Sequence, residues 1–292
     1  MASNPVFNRI EREAEKGYAG FDNRAPQQAP PAPSAPSWGH SGTLTDQQLQ
    51  DLYNQPTATP VQAGRVTLDD VVMKTAGLFT LVLVFAAVGW TLAPTSLGGV
   101  VILGGIAATL VLGLVIAFKK TISVPLIVGY AVVEGLMVGA ISFTYSTLFD
   151  PPGTPVFEGI VAQAVLATLS VFAGMLLAYK TGLIKVTAKF RRIVTMAVIG
   201  YAIFALINLG YVLFFNGSPF GFGGSGALGI GISLFAIGLA SMSLALDFDS
   251  IDRAIAAGAP QKYSWLLAHG LIVTLVWLYL EILRLLGRLR SE

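Results

Sequence analysis

The sequence predicts an all-α, polytopic membrane protein with seven transmembrane helices. Three observations carry this. Hydrophobic residues make up 54% of the 292 positions and charged residues only 12%, against about a quarter charged in soluble domains. A soluble fold of this length cannot bury so much apolar surface, which excludes a water-soluble enzyme. The charges are also unevenly placed: residues 1–70 hold eight acids and five bases, and the 222 positions after them hold eight and thirteen. Finally, seven apolar runs follow one another from Val71 onward. Each is near or above the ~20 residues that cross ~30 Å of hydrocarbon at 1.5 Å per residue. None alternates with the period of a strand, so helices must satisfy the backbone in lipid.

Taken in order, residues 1–64 are a polar tail on the cytoplasmic side. Residues 6–20 read as a short charged helix, either a solvated arm or a tethered docking peptide. Residues 25–64 hold seven prolines among Ala, Gln, Ser and Thr, a composition that buries too little surface to offset ordering entropy and predicts a disordered linker. With a polar tail first, no cleavable signal peptide is expected. Residues 65–292 form the membrane domain. Its apolar runs cover about 71–93, 99–118, 123–148, 158–181, 193–216, 226–250 and 264–287. Pro94, Lys119–Lys120, Pro151-Pro152-Gly153, Lys185 to Arg192, the Gly-rich stretch Gly217 to Gly226, and Ala256 to Lys262 separate them.

Lysine and arginine set the expected orientation. With a cytoplasmic N-terminus, the inner loops hold Lys119, Lys120, Lys180, Lys185, Lys189, Arg191, Arg192, Arg253 and Lys262, and the outer loops hold none. The exception is the C-terminus. Seven crossings place Arg284, Arg288 and Arg290 outside. The expected location is a membrane crossed several times, with the lipid bilayer as the main partner. Nothing predicts nucleic-acid binding.

Ionisable residues inside a membrane cost roughly 2.5–3.5 kcal/mol each on insertion scales, so each needs a reason. Glu134 sits mid-run beside Gly135 and Gly139, a GxxxG pair that permits close helix approach and points the acid into the bundle. It reads either as a hydrogen-bonded structural acid or as a carboxyl lining a pathway. Asp247 ends the sixth run and shares a helical face with Leu244 and Ile251. Asp249 and Asp252 read better as boundary acids in water, balanced by Arg253. Glu281 lies in LVWLYLEILRLL, where Arg284 at i+3 is one possible partner; the alternative is a lone carboxyl that exchanges a proton or a cation. His269 reads as interfacial, and Trp90, Trp265, Tyr201 and Tyr279 are candidate interface anchors.

Some chemistry is absent. There is no cysteine, hence no thiolate metal site or disulfide. HExxH, GxSxG and a phosphate-binding loop are also missing. No catalytic role and no resident cofactor are expected.

Two segments, LDFDSI at 246–251 and LYLEILRLL at 278–286, resemble the signature of the Bax inhibitor-1 family, including its YccA-like bacterial members. VTLDDVVMKTA at 66–76 and YAVVEGLMVGA at 130–140 look like an actinobacterial branch of it. The resemblance covers about residues 66–290. It implies six helices wrapped around a central seventh. It also implies two acids, one late in helix six and one in helix seven, that share protons, sense pH and gate a cation leak, chiefly of calcium. These map to Asp247 and Glu281, which would then ligate calcium transiently. Glu281 stands where the family more usually has Asp. Helix two lacks the family's arginine, and only Lys119 and Lys120 at its end offer a cation as pair partner. The resemblance also permits a scaffold that modulates partner membrane proteins or proteases through residues 1–64.

The acidic pair carries a geometric condition. Counted from a loop at 256–262, Asp247 is nine residues deep and Glu281 nineteen, an axial offset of ~15 Å for straight antiparallel helices. The two meet only if helix seven starts late, near Leu266, or if the helices tilt.

Overall fold

The computed structural model describes residues 64–155, 157–214 and 220–291. The expected helix at 6–20, the Pro-rich linker up to residue 63 and the start of the Gly-rich loop lie outside the described residues. Seven helices follow in order: α1 (Leu68–Leu92), α2 (Gly98–Phe118), α3 (Val124–Phe149), α4 (Ile160–Lys180), α5 (Ala188–Phe214), α6 (Ala227–Ala256) and α7 (Tyr263–Arg290). All seven are long and apolar enough to cross a membrane, and the described residues contain no strand, only an isolated bridge between Arg65 and Pro260. We call the end where α1 begins the near face and the opposite end the far face.

Local signals explain the helix ends. Thr67 caps α1 in a reciprocal box: its hydroxyl accepts from the Asp70 amide at 3.2 Å, and the Asp70 carboxyl accepts from the Thr67 amide at 3.3 Å. Pro125 stands in the first turn of α3, where its missing N–H has no helical partner to lose. Two helices reach beyond their apolar runs. α5 begins at Ala188, inside the basic break, and α6 runs on to Ala256. The extra turns carry charged side chains, several of which have partners. Arg191 pairs with Asp249, Arg253 bonds Asp249 at 2.9 Å, and Tyr179 donates to Asp252 at 2.8 Å. Of the reading of Asp249 and Asp252 as acids balanced by Arg253, the structure forms the Asp249–Arg253 pair, and Asp249 is mostly covered. Hydropathy marks where the lipid ends, whereas the helical backbone continues as far as its own hydrogen bonds do.

The GxxxG pair of α3 packs against α1. A Cβ on Gly139 would lie 1.9 Å from the Ala86 carbonyl oxygen, and one on Gly135 2.6 Å from that of Val82. Gly89 of α1 reciprocates, 2.1 Å from the Leu136 oxygen. Only glycine lets these backbones approach so closely. That packing turns Glu134, one residue before Gly135, into the interior, where it is 3% exposed.

α7 is the most buried helix and lies at the centre. α1, α3, α4 and α6 pack directly against it. α2 packs on α3 and α1, and α5 on α6, so these two form an outer layer. The main core joins Leu78 and Val82 of α1, Ile127 and Val138 of α3, Leu244 of α6, and Ile272, Leu278 and Ile282 of α7. At the near face the chain entering α1 is tied to the α6–α7 loop. The Val66 amide donates to Ala259 and the Gln261 amide to Gly64, both at 2.8 Å. Val66 and Val71 pack there on Ile251.

Candidate functional site

An apolar central helix should be featureless, yet α7 buries His269, Thr274, Tyr279, Glu281 and Arg288. Buried polar groups need partners, and tracing them defines the site.

Glu281 is 3% exposed and its Oε1 is held from three directions. The Tyr201 hydroxyl of α5 donates at 2.6 Å, Trp277 Nε1 at 3.3 Å and Arg284 Nη1 at 3.0 Å. Arg284 also reaches Oε2 at 3.1 Å. Glu281 therefore has its counter-ion one turn away on its own helix. Of the two readings that the sequence left open, the intrahelical pair is the one formed. Tyr201 stacks on Trp277 at 5.6 Å, which fixes the phenol over the carboxylate.

Asp247 has a different environment. It faces α7 at Gly270 and Thr274. Its buried Oδ2 has no hydrogen-bond partner among the described residues, and no basic side chain pairs with it there. The expected contact with Glu281 is not formed. α7 begins at Tyr263, directly after the loop, so the late start that a contact required does not occur. Asp247 lies level with Gly270–Thr274, and Glu281 is seven residues beyond Thr274, ~10 Å further along the axis. One calcium ion cannot bridge both, since its ligands lie at ~2.3–2.6 Å.

Glu134 accepts from the Tyr130 hydroxyl at 3.1 Å, and its Oε2 is buried without a partner among the described residues. The Tyr130 ring meets His269 of α7 edge-on, with centroids 4.5 Å apart. His269 is thus interior and not interfacial, because α3 covers this side of α7. Tyr201 and Tyr279 are not interface anchors either: Tyr279 is buried and shares a 2.7 Å hydrogen bond with Ser142. Lys119 and Lys120 are exposed after α2, and neither pairs with Glu134, Asp247 or Glu281 among the described residues. The cause is topological: α2 belongs to the outer layer, so its end does not reach α7.

The three arginines toward the end of α7 are each engaged by protein. Arg284 pairs with Glu281. Arg288, 2% exposed, donates to the Gly229 carbonyl, to Ser233 Oγ at 2.6 Å and to the Phe220 carbonyl at 3.0 Å. Arg290 pairs with Asp150 and donates to Gln163 Oε1 at 3.1 Å. These contacts occupy side chains that a count of loop charges treats as free.

The arrangement is thus a central helix between two orphaned carboxyl oxygens in its near half and a neutralised carboxylate in its far half. The Bax inhibitor 1 like family model matches residues 4–291. The chain belongs to that family. No curated protein matches it. The Bax inhibitor-1 match begins at residue 4, well before the LDFDSI and LYLEILRLL segments, so the tail is included in the family's extent. Within the Bax inhibitor-1 frame, the sequence pointed to Glu134, Asp247, Glu281 and Arg284, took Tyr201 for an interface anchor, and did not mark Trp277, Tyr130, Ser233 or the role of Arg288. Trp277 lies four residues before Glu281 and was legible as a helical neighbour. Tyr201, 80 residues away, left no local signal.

Proposed function

We propose that this multi-pass membrane protein is a proton-sensitive leak pathway for cations, calcium foremost, running along α7. The observation that carries the reading is the Oδ2 oxygen of Asp247, buried against the central helix with neither a donor nor a counter-ion among the described residues. A carboxylate charge is costly in such a place unless something neutralises it. A proton or a cation can do so, and the two then compete for one site. Hard cations prefer carboxylate oxygens, which fits calcium. Glu134, with its own free oxygen, flanks the same helix and extends the path. Glu281 acts as the lock, because its charge is already balanced by Arg284. A cation moving past must displace that guanidinium. The acids are then two stations along α7 and not a hydrogen-bonded pair. Acidic pH fills Asp247 with a proton and closes the path; raising pH frees it for a cation.

The test is calcium flux into proteoliposomes across pH. Asp247→Asn should flatten the pH dependence, and Glu134→Gln should lower flux while preserving folding, since an amide keeps hydrogen bonds but cannot ionise. A wild-type pH profile in Asp247→Asn overturns the assignment. The orientation proposed is a cytoplasmic N-terminus in a bacterial plasma membrane. Reporter fusions ahead of Leu68 and after Arg290 should report opposite sides; the same side for both refutes it.

A further inference from the structure

α1 and α4 both flank α7, but they make no close approach to each other. Between them runs a groove of about 930 Å³, floored by α3 and α7. This volume is near the upper end of small-ligand sites, ~300–1,000 Å³. Its rims include Leu83 and Trp90 of α1 and Val165 and Leu169 of α4, all exposed, so it opens sideways into the surroundings of the helices. Along α1 it extends from Phe79 to Thr91, ~18 Å at 1.5 Å per residue. One leaflet of the hydrocarbon core is ~15 Å thick.

The lining suits a chain and not a polar solute. The deepest polar groups satisfy each other: Ser142 donates to the Val138 carbonyl, and its Oγ shares a hydrogen bond with Tyr279, both at 2.7 Å. The groove becomes polar only at its far-face end. There Asp150 accepts from Ser146 and from the Ile160 amide at 2.9 Å and pairs with Arg290, whose side chain is 25% exposed. Asp150 is used up by these contacts; Arg290, beside the lining and also bonded to Gln163 and the Phe149 carbonyl, keeps an exposed guanidinium edge there, with the exposed Glu158 nearby. The guanidinium edge suits a phosphate.

We infer that this groove is a binding site for one acyl chain of a glycerophospholipid of the far-face leaflet, with its phosphate at Arg290. The length matches one leaflet, the opening faces lipid, and the single polar end lies at headgroup level.

The experiment uses the full-length protein in vesicles containing increasing fractions of phospholipid brominated along its acyl chains. Trp90 fluorescence, taken as the difference between wild type and Trp90→Phe, reports contact. Expected is quenching that saturates at low mole fraction of brominated lipid. Quenching that only tracks the bulk mole fraction, the behaviour of annular lipid, overturns the proposal with wild type alone. Ala87→Phe combined with Ala162→Phe fills the groove and should weaken the saturable phase at least tenfold. Val84→Phe, which projects from α1 outside the groove, should leave it unchanged. A saturable phase that survives filling, or is lost equally in Val84→Phe, also overturns it. Arg290→Gln should weaken it severalfold; no change removes the phosphate from the assignment.

Discussion

The Tyr201 hydroxyl of α5 donates a 2.6 Å hydrogen bond to Oε1 of Glu281 on α7, across 80 residues of chain. This bond reaches from an outer helix to the central one and adds an uncharged donor to a carboxylate that already has its guanidinium. It joins the contacts of Tyr279, Arg288 and Arg290 in holding the far half of α7.

Tyr201→Phe keeps the stacking on Trp277 and removes only the donor. A hydrogen bond to a charged group contributes ~1.5–3 kcal/mol. In a domain of this size that lowers the thermal midpoint by ~2–4 °C per kcal/mol. Thermal unfolding of purified protein in detergent measures it. An unchanged midpoint would mean that the phenol does not hold Glu281.

Arg284→Met should cost more, because it leaves Glu281 buried without a counter-ion. Breaking a fully buried pair costs ~3–5 kcal/mol; with the Arg284 side chain 36% exposed, the loss should fall below that range. Adding Glu281→Gln to Arg284→Met should restore more than half of it, since both charges are then gone. A double variant as unstable as the single one would show that packing of the arginine stem, and not charge, is what is lost.

Asp247→Asn and Glu281→Gln should act independently on flux and on stability. The two residues do not touch and share no partner, so their effects should add within ~0.5 kcal/mol. A double variant no worse than either single one would instead reveal a hydrogen-bonded pair and contradict the ~10 Å axial separation.

Gly139→Ala should destabilise by ~1–3 kcal/mol, the cost of overpacking. The new methyl would meet the Ala86 carbonyl oxygen at 1.9 Å and force α1 from α3. Gly129→Ala, on the same helix with nothing within 4 Å of the added carbon, should be neutral or stabilising by ~0.5–1 kcal/mol. Chemical or thermal unfolding of the two variants side by side checks the contrast; equal effects would mean that helix contact does not depend on Gly139.

By itself the sequence determined the seven helices. In lipid every backbone group must be bonded within its own segment, so span length and hydropathy suffice, and Pro94, Lys119–Lys120 and Pro151-Pro152-Gly153 mark the breaks. It also offered contacts that depend on helical spacing alone, Glu281 with Arg284 as one of two readings and Asp249 with Arg253, and both are formed. The GxxxG pair indicated that Glu134 turns inward. Only the tertiary structure decided which depth of α7 faces Asp247, that Tyr201 holds Glu281, that Arg288 and Arg290 are engaged by other helices, and that α1 and α4 leave a groove between them. Those outcomes depend on the rotation, tilt and register of whole helices. Side chains scattered over distant segments set these jointly, and no spacing along the chain records the result.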